Sequence, residues 1–256
     1  MEILSPRQAD IVAIAKAEGR VTVDDLAERF AVTPQTIRRD LNGLCDSGVL
    51  NRYHGGAVPI SGAANFAYDA RRRLAPEAKQ AIGRAAAHMV PDGSSLFINI
   101  GTTTEQVATA LRGRKGLTII TNNLNVAHIL QGYTEIEVVV AGGVLRHSDG
   151  GIVGEAAVDF IRQFKVDYAI VGTSAIDRDG TLLDFDYREV KVAKAIMECA
   201  RLSILVADAM KFERTAPVRI GHLSDLDIFV TDKPLEPQLH AMCIEAKVQV
   251  KAAGKT

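Results

Sequence analysis

What this chain has little of narrows its class first. It carries three cysteines, Cys45, Cys199 and Cys243, far apart and odd in number. They form no metal-ligand spacing and no disulfide framework, so reduced, packed thiols in a cytoplasmic protein are expected. No apolar run is long enough to span a bilayer, and the first residues lack the charged-then-apolar order of a signal sequence, so no membrane partner is expected. An excess of one charge is missing too. The formal net charge is −1, which argues against a protein that coats DNA nonspecifically. Neither a Gly-Lys-Ser/Thr Walker loop nor a Gly-x-Gly-x-x-Gly fingerprint is present, and no motif implies a cofactor. With 256 residues, 47% of them hydrophobic and 24% charged, the chain is an ordinary globular one, long enough for two cores.

The most pointed stretch is Thr33-Pro34-Gln35-Thr36-Ile37-Arg38-Arg39-Asp40-Leu41. Thr33 suits an N-cap and Pro34 the first helical position, where no amide bond is lost. Ile37, Leu41 and Leu44 recur at helical spacing and face inward. Gln35, Thr36, Arg38 and Arg39 are left outside near the helix start, where side chains reach base edges and phosphates in a major groove. Upstream, Thr22 to Phe30 reads as a short helix with Thr22 and Asp25 spaced as a capping box. Ala31-Val32 connects the two. A longer helix from Pro6 to Glu18 stops at Gly19. Three helices with a tight turn before the last describe a helix-turn-helix. Val49 to Val58 reads as a hairpin wing, with glycines in its turn. Thr22, Thr33, Gln35, Thr36, Arg38 and Arg39, with Arg52 and His54 of the wing, are the expected DNA contacts. Asp40 and Asp46 lie among these arginines and leave a modest positive excess.

The run from about Leu4 to Val58 resembles the DNA-binding domain of the DeoR family of transcriptional regulators. Thr-Ile-Arg-Arg-Asp-Leu, Thr36 to Leu41, and His-Gly-Gly-Ala, His54 to Ala57, carry that resemblance. The expected organisation is a winged helix-turn-helix over 1–58, a linker over 59–75 that includes Arg71-Arg72-Arg73, and an α/β sensing domain over 76–256.

From Ser95 onward, short apolar strands alternate with helices: Ser95–Ile100, Leu117–Thr121, Ile136–Ala141, Val166–Gly172, Leu202–Ala207 and Leu226–Val230, with helices between them. That order implies a mostly parallel sheet covered on both faces, with ligands beyond the carboxyl ends of its strands. Gly101-Thr102-Thr103-Thr104 joins a strand to a helix. Its glycine permits close approach, and its hydroxyls and helix amides suit an anion; plain N-capping by a threonine is the competing reading. Asn122, the Gly142-Gly143 pair and Asp177 lie at other strand ends, where turn chemistry would also place such residues. Arg146 and Lys211 offer cationic partners. Together they suggest a pocket for a small phosphorylated molecule.

Lys79 to Val250 resembles the effector domain of DeoR-type regulators, similar in fold to ribose-5-phosphate isomerase. In those isomerases a threonine-rich loop holds the phosphate, matching Gly101 to Thr104. Their Ala-Asp-x-Ser-Lys run matches Ala207 to Lys211 with Met210 for serine, and their Arg-Glu-Lys run matches Arg188-Glu189 with Val190 for lysine. The resemblance therefore adds Glu189 to the pocket. Where the enzymes carry Asp-Gly-Ala-Asp-Glu, this chain reads Val171-Gly172-Thr173-Ser174-Ala175. A proton shuttle needs a positioned base, and those acids are gone. A non-enzymatic repressor is expected. The alternatives are a regulator of the same type that senses another sugar phosphate, and an isomerase with an appended DNA-binding domain. Thr121 to Ala127, Asp149 to Ile152 and Phe185 to Tyr187 match family members that respond to glycerol 3-phosphate. This implies that effector, glycerol-metabolism genes as targets, and operator DNA as partner. Reading two half-sites requires a homo-oligomer, a dimer or tetramer.

Overall fold

The computed structural model describes residues 5–46, 49–53, 55–59 and 68–253. The chain divides into two compact units, Met1–Leu74 and Ala75–Thr256.

In the first unit, α1 (Pro6–Glu18) opens with Ser5 and Gln8 capping each other reciprocally and closes at Gly19, whose φ of 79° suits glycine. Then come β1 (Val21–Thr22), α2 (Val23–Arg29), α3 (Pro34–Asp46), β2 (Leu50–Tyr53) and β3 (Gly56–Pro59). Ile37, Leu41 and Leu44 of α3 are fully buried, as their spacing requires, and pack with Ile11, Ala15 and Leu26. The wing strands β2 and β3 are antiparallel, and β3 also pairs with β1. Gly56 is required where those strands meet: a Cβ there would lie 2.0 Å from the Val21 carbonyl oxygen. The segment expected to be a plain linker contains a short helix, α4 (Tyr68–Arg73). Arg72 folds back over the Tyr68 ring at 5.7 Å, which ties down one of the three arginines.

The second unit runs α5 (Pro76–His88), β4 (Ser95–Ile98), α6 (Thr102–Leu111), β5 (Leu117–Thr121), α7 (Leu124–Leu130), β6 (Ile136–Val140), β7 (Val144–Arg146), β8 (Gly151–Val153), α8 (Glu155–Ile161), β9 (Val166–Val171), β10 (Ala175–Ile176), β11 (Thr181–Asp184), α9 (Tyr187–Glu198), β12 (Ala200–Val206), β13 (Val218–His222), β14 (Ile228–Thr231), α10 (Pro237–Glu245) and β15 (Gln249–Ala252). A seven-stranded sheet has the order β15-β14-β12-β9-β4-β5-β6, and each of its neighbouring pairs is parallel. Alternation along the strands divides the interior in two. Phe97, Ile120, Ala169, Leu205 and Phe229 face one core, with residues of α8, α9 and α10. Leu96, Ile98, Ile119, Ile170 and Ile204 face the other, with α5, α6 and α7. Two antiparallel additions, β7-β8 and β10-β11-β13, sit outside this sheet.

The order fixes where a ligand belongs. The chain leaves β4 toward β5 and β6, then returns to β9 on the other side of β4 and continues to β12 and β14. The direction reverses between β4 and β9, and a doubly wound sheet opens a crevice beyond its strand ends at such a point. The Gly101–Thr104 loop follows β4 directly.

Candidate functional site

In the first unit, the outer face of α3 stands open. Gln35, Arg38 and Arg39 are exposed and Thr36 half-buried. Thr33 caps the helix: its hydroxyl accepts from the Thr36 amide at 3.3 Å and lies 2.9 Å from the Thr36 hydroxyl. The acid expected to offset the arginines is engaged elsewhere. Asp40 accepts from Arg7 Nε of α1 at 2.6 Å. This bond braces α3 against α1 and withdraws a negative charge from the outer face. Among the described residues, neither Arg38 nor Arg39 makes an ion pair.

Thr22 forms half of the expected capping box. Its hydroxyl accepts from the Asp25 amide at 3.1 Å and donates to the Asp25 carboxylate at 2.6 Å, so Asp25 grips the hydroxyl rather than the Thr22 backbone. That hydroxyl serves the helix. Arg52 is exposed on β2, opposite Ala57. Burial pushes the Cys45 thiol up while Arg52 pulls it down, which puts the Arg52 charge beside the end of α3. His54 lies outside the described residues, as do residues 60–67 of the expected linker.

In the second unit, the strand-end residues do different jobs. Gly101 is the N-cap of α6, with φ 152° and ψ 147°. Thr104 spends its one hydroxyl proton within the chain, shared between the Asn99 and Gly101 carbonyls, both at 2.7 Å. Thr102 and Thr103 are buried in the first turn of α6, whose amides have no partner within the helix. Of the glycine pair, Gly143 serves packing: a Cβ there would meet Ile152 Cγ2 at 2.9 Å and the Val153 carbonyl oxygen at 3.0 Å. Gly142 has open space where its Cβ would be.

The β7-β8 hairpin docks over this edge. Asn122 Nδ2 donates to the Ile152 carbonyl at 3.0 Å, the Leu124 amide to Gly150 at 3.0 Å, and Asn125 Nδ2 to Asp149 at 2.8 Å. Asn123 and Asn125 also donate to Glu105, a buried acid in the first turn of α6, at 3.4 and 3.1 Å. A threonine loop, an asparagine run and a hairpin thus form one hydrogen-bonded body.

Arg146 ends β7 and is not a spare cation. Asp149 holds it bidentately at 2.8 and 2.7 Å, Glu189 meets it at 2.6 Å and Asp186 at 3.3 Å. The residue expected as a cationic partner for a phosphate is thus already held by three acids. Burial alone would lower the pKa of the guanidinium, but the bonds and charges of Asp149 and Glu189 raise it. Glu189 is brought to the cluster by the first turn of α9. Burial, then the charge of Asp184, pushes it up to about 8 against the pull of Arg146, whose charge is already shared. Arg188 holds Asp186 down to about 2.

One expected residue, Asp177, lies apart from this body. Asp177 lines a shallow cavity of about 570 Å³ with Arg178, Asp179, Phe212, Glu213, Arg214 and Thr215, and no residue of the threonine loop or asparagine run lines it. Its amide takes part in the turn between β10 and β11, bonded to the Thr181 carbonyl at 2.9 Å. Lys211 is half-buried in a 3-10 turn, Ala209–Glu213, which Asp208 caps beyond β12. That turn follows the carboxyl end of its strand, at the same sheet edge as the threonine loop.

Sequence reading did not assign Asn99, Glu105, Asp149 or Asp186 to the site, although Asp149 and Asp186 stand in runs that carry the family resemblance. The signals were a lone amide inside an apolar strand run, an acid in a buried helical turn, and an acid three residues from Arg146. At the end of β9 the Thr173 hydroxyl is turned to the Ala175 and Leu183 carbonyls, at 2.8 and 2.9 Å. No described helix is long and apolar enough to cross a membrane.

Comparison with known proteins matches residues 7–62 to the DeoR-like helix-turn-helix domain and residues 74–233 to the DeoR C terminal sensor domain. The chain is 47% identical to the glycerol-3-phosphate regulon repressor of Escherichia coli over 89% of its own length and 90% of that protein. It is 48% identical to the protein of the same name from Haemophilus influenzae, over 90% of each. Among solved structures, a D-ribose-5-phosphate isomerase in complex with phospho-erythronic acid aligns with a TM-score of 0.41 and 14% identity over 54% of each chain. The curated relatives are transcriptional repressors rather than enzymes, and this chain belongs to the DeoR family of transcriptional regulators.

Proposed function

We propose that this chain represses genes of glycerol and glycerol 3-phosphate metabolism and leaves its operator when glycerol 3-phosphate binds the sensor unit. The observation that carries the effector site is the position of α6: its amino end opens at the reversal point between β4 and β9. First-turn amides there present donors and a positive dipole end to a phosphate. Thr102 and Thr103 add hydroxyl donors, and Lys211 supplies charge from the same sheet edge. The relatives that share nearly half of their residues with this chain are named for glycerol 3-phosphate, which supports that ligand over longer sugar phosphates.

At the other end, α3 enters a major groove with Gln35, Arg38 and Arg39, while Arg52 of the wing meets the backbone. The working form is a cytoplasmic homo-oligomer, because two half-sites need at least two helices held at fixed spacing. Effector binding favours an arrangement with weaker DNA affinity, through a coupling of about 1–3 kcal/mol. The test is a thermal-shift panel of glycerol 3-phosphate, ribose 5-phosphate and glucose 6-phosphate. Glycerol 3-phosphate should give the largest rise in melting temperature; a larger rise with either sugar phosphate would contradict the assignment.

A further inference from the structure

Phosphate sensing accounts for one end of the effector and leaves the other unexplained; an assignment for that other end rests on the phosphate reading. Ile98 and Thr121 are register partners at the ends of β4 and β5. The next residue on each strand is an asparagine, so Asn99 and Asn122 occupy neighbouring positions at the carboxyl edge. They are buried, at 2% and 0% exposure. Asn99 Oδ1 and Asn122 Oδ1 are both enclosed without a hydrogen-bond partner. Folded proteins rarely leave buried acceptors unmet, because each one costs stability.

In the orientation the structure gives them, both side-chain oxygens call for a donor. The two oxygens are both acceptors and cannot satisfy each other. Asn122 cannot simply turn over, since its Nδ2 is committed to the Ile152 carbonyl at 3.0 Å. An ionised phosphate offers acceptors and no donor. The amino end of α6, three positions beyond Asn99, has the opposite character and presents donors. A ligand with a phosphate at one end and hydroxyls at the other matches both. We propose that Asn99 and Asn122 accept hydrogen bonds from the hydroxyls of a polyol phosphate, and that they select it against a phosphate ester of equal length that lacks hydroxyls. Since both oxygens are enclosed, the β7-β8 hairpin, bonded to Asn122 and packed on Ile100 through Gly151, shifts to admit the polyol end.

The experiment is calorimetric titration of the full chain with glycerol 3-phosphate and with n-propyl phosphate, which has the same three carbons and no hydroxyl. Glycerol 3-phosphate should bind at least about tenfold more tightly, because a site built around hydroxyl partners rejects analogues without them. Asn99→Leu, close in volume but lacking the acceptor, should reduce that preference to about threefold or less. It should leave propyl phosphate affinity and the melting temperature of the unliganded chain undiminished. Equal binding of both esters by the wild type would overturn the hydroxyl assignment and leave the phosphate site standing. Binding of neither would overturn both. An Asn99→Leu variant that loses both esters equally and melts earlier would make Asn99 a structural residue and overturn its role. The wild-type comparison decides the question even if the variant does not fold.

Discussion

The two units of this chain solve opposite problems with similar residues. On α3, charged side chains are useful because they are left alone: Arg38 and Arg39 are exposed, and the nearby Asp40 is drawn off by Arg7 at 2.6 Å. At the carboxyl edge of the large sheet, charge is useful because it is held. Arg146 is enclosed by Asp149, Asp186 and Glu189. A surface that reads DNA needs unpaired donors with water as their only competitor. A sensor needs groups that are already ordered, so that a small ligand can tip the balance between arrangements.

The difference is sharpest in what truncation does. Arg146→Ala takes the bidentate guanidinium from the buried Asp149, while Asp186 keeps Arg188, and should cost the second unit about 3–5 kcal/mol, read as a lowered denaturant midpoint. A midpoint that stays put would mean water already screens the cluster. Arg38→Ala should leave stability unchanged but weaken operator binding by about 1–3 kcal/mol, with relaxed preference at one base position if the contact is bidentate to guanine. An equal loss across all sequences would make Arg38 a phosphate contact. Thr22→Ala separates a capping role from a DNA contact. As a cap it should cost about 1 kcal/mol of folding stability while operator affinity, measured well below the melting point, holds. Loss of affinity without loss of stability would return Thr22 to the DNA surface.

A further contrast is one of pH. Glu189 has a folded pKa of about 8, above its ordinary 4.5. Between those values the folded state keeps a proton that the unfolded state releases. Its contribution is therefore complete below about 4.5 and fades as pH rises through 8. Glu189→Gln should flatten the decline in melting temperature over that window. An unchanged slope would mean that Glu189 is ionised beside Arg146 throughout.

The same contrast explains what the sequence made legible. The first unit is local: Thr33, Pro34, Ile37, Leu41 and Leu44 act within one helix, and their spacing alone specifies it. Alternating apolar runs likewise declare the parallel strands, because β4, β5 and β9 are buried on both faces. The short β7, β10, β11 and β13 did not declare themselves. Val144 and Leu145 are exposed, and β10 has two residues. The strand expected to reach Ile100 stops at Ile98 because Thr104 takes the Asn99 carbonyl at 2.7 Å. The threonine loop could be read as a loop suited to an anion; that Thr104 turns its hydroxyl to the Asn99 and Gly101 carbonyls could not. Arg146 could be read as a cation; that Asp186 and Glu189, from a distant helix start, close around it could not.

The proposed function requires linkage between effector and operator. The direct measurement is operator affinity of the full chain, with and without saturating glycerol 3-phosphate, at one stated salt concentration because phosphate contacts make affinity salt-dependent. Linkage predicts a fall of about 5- to 150-fold. The same affinity in both conditions would contradict it.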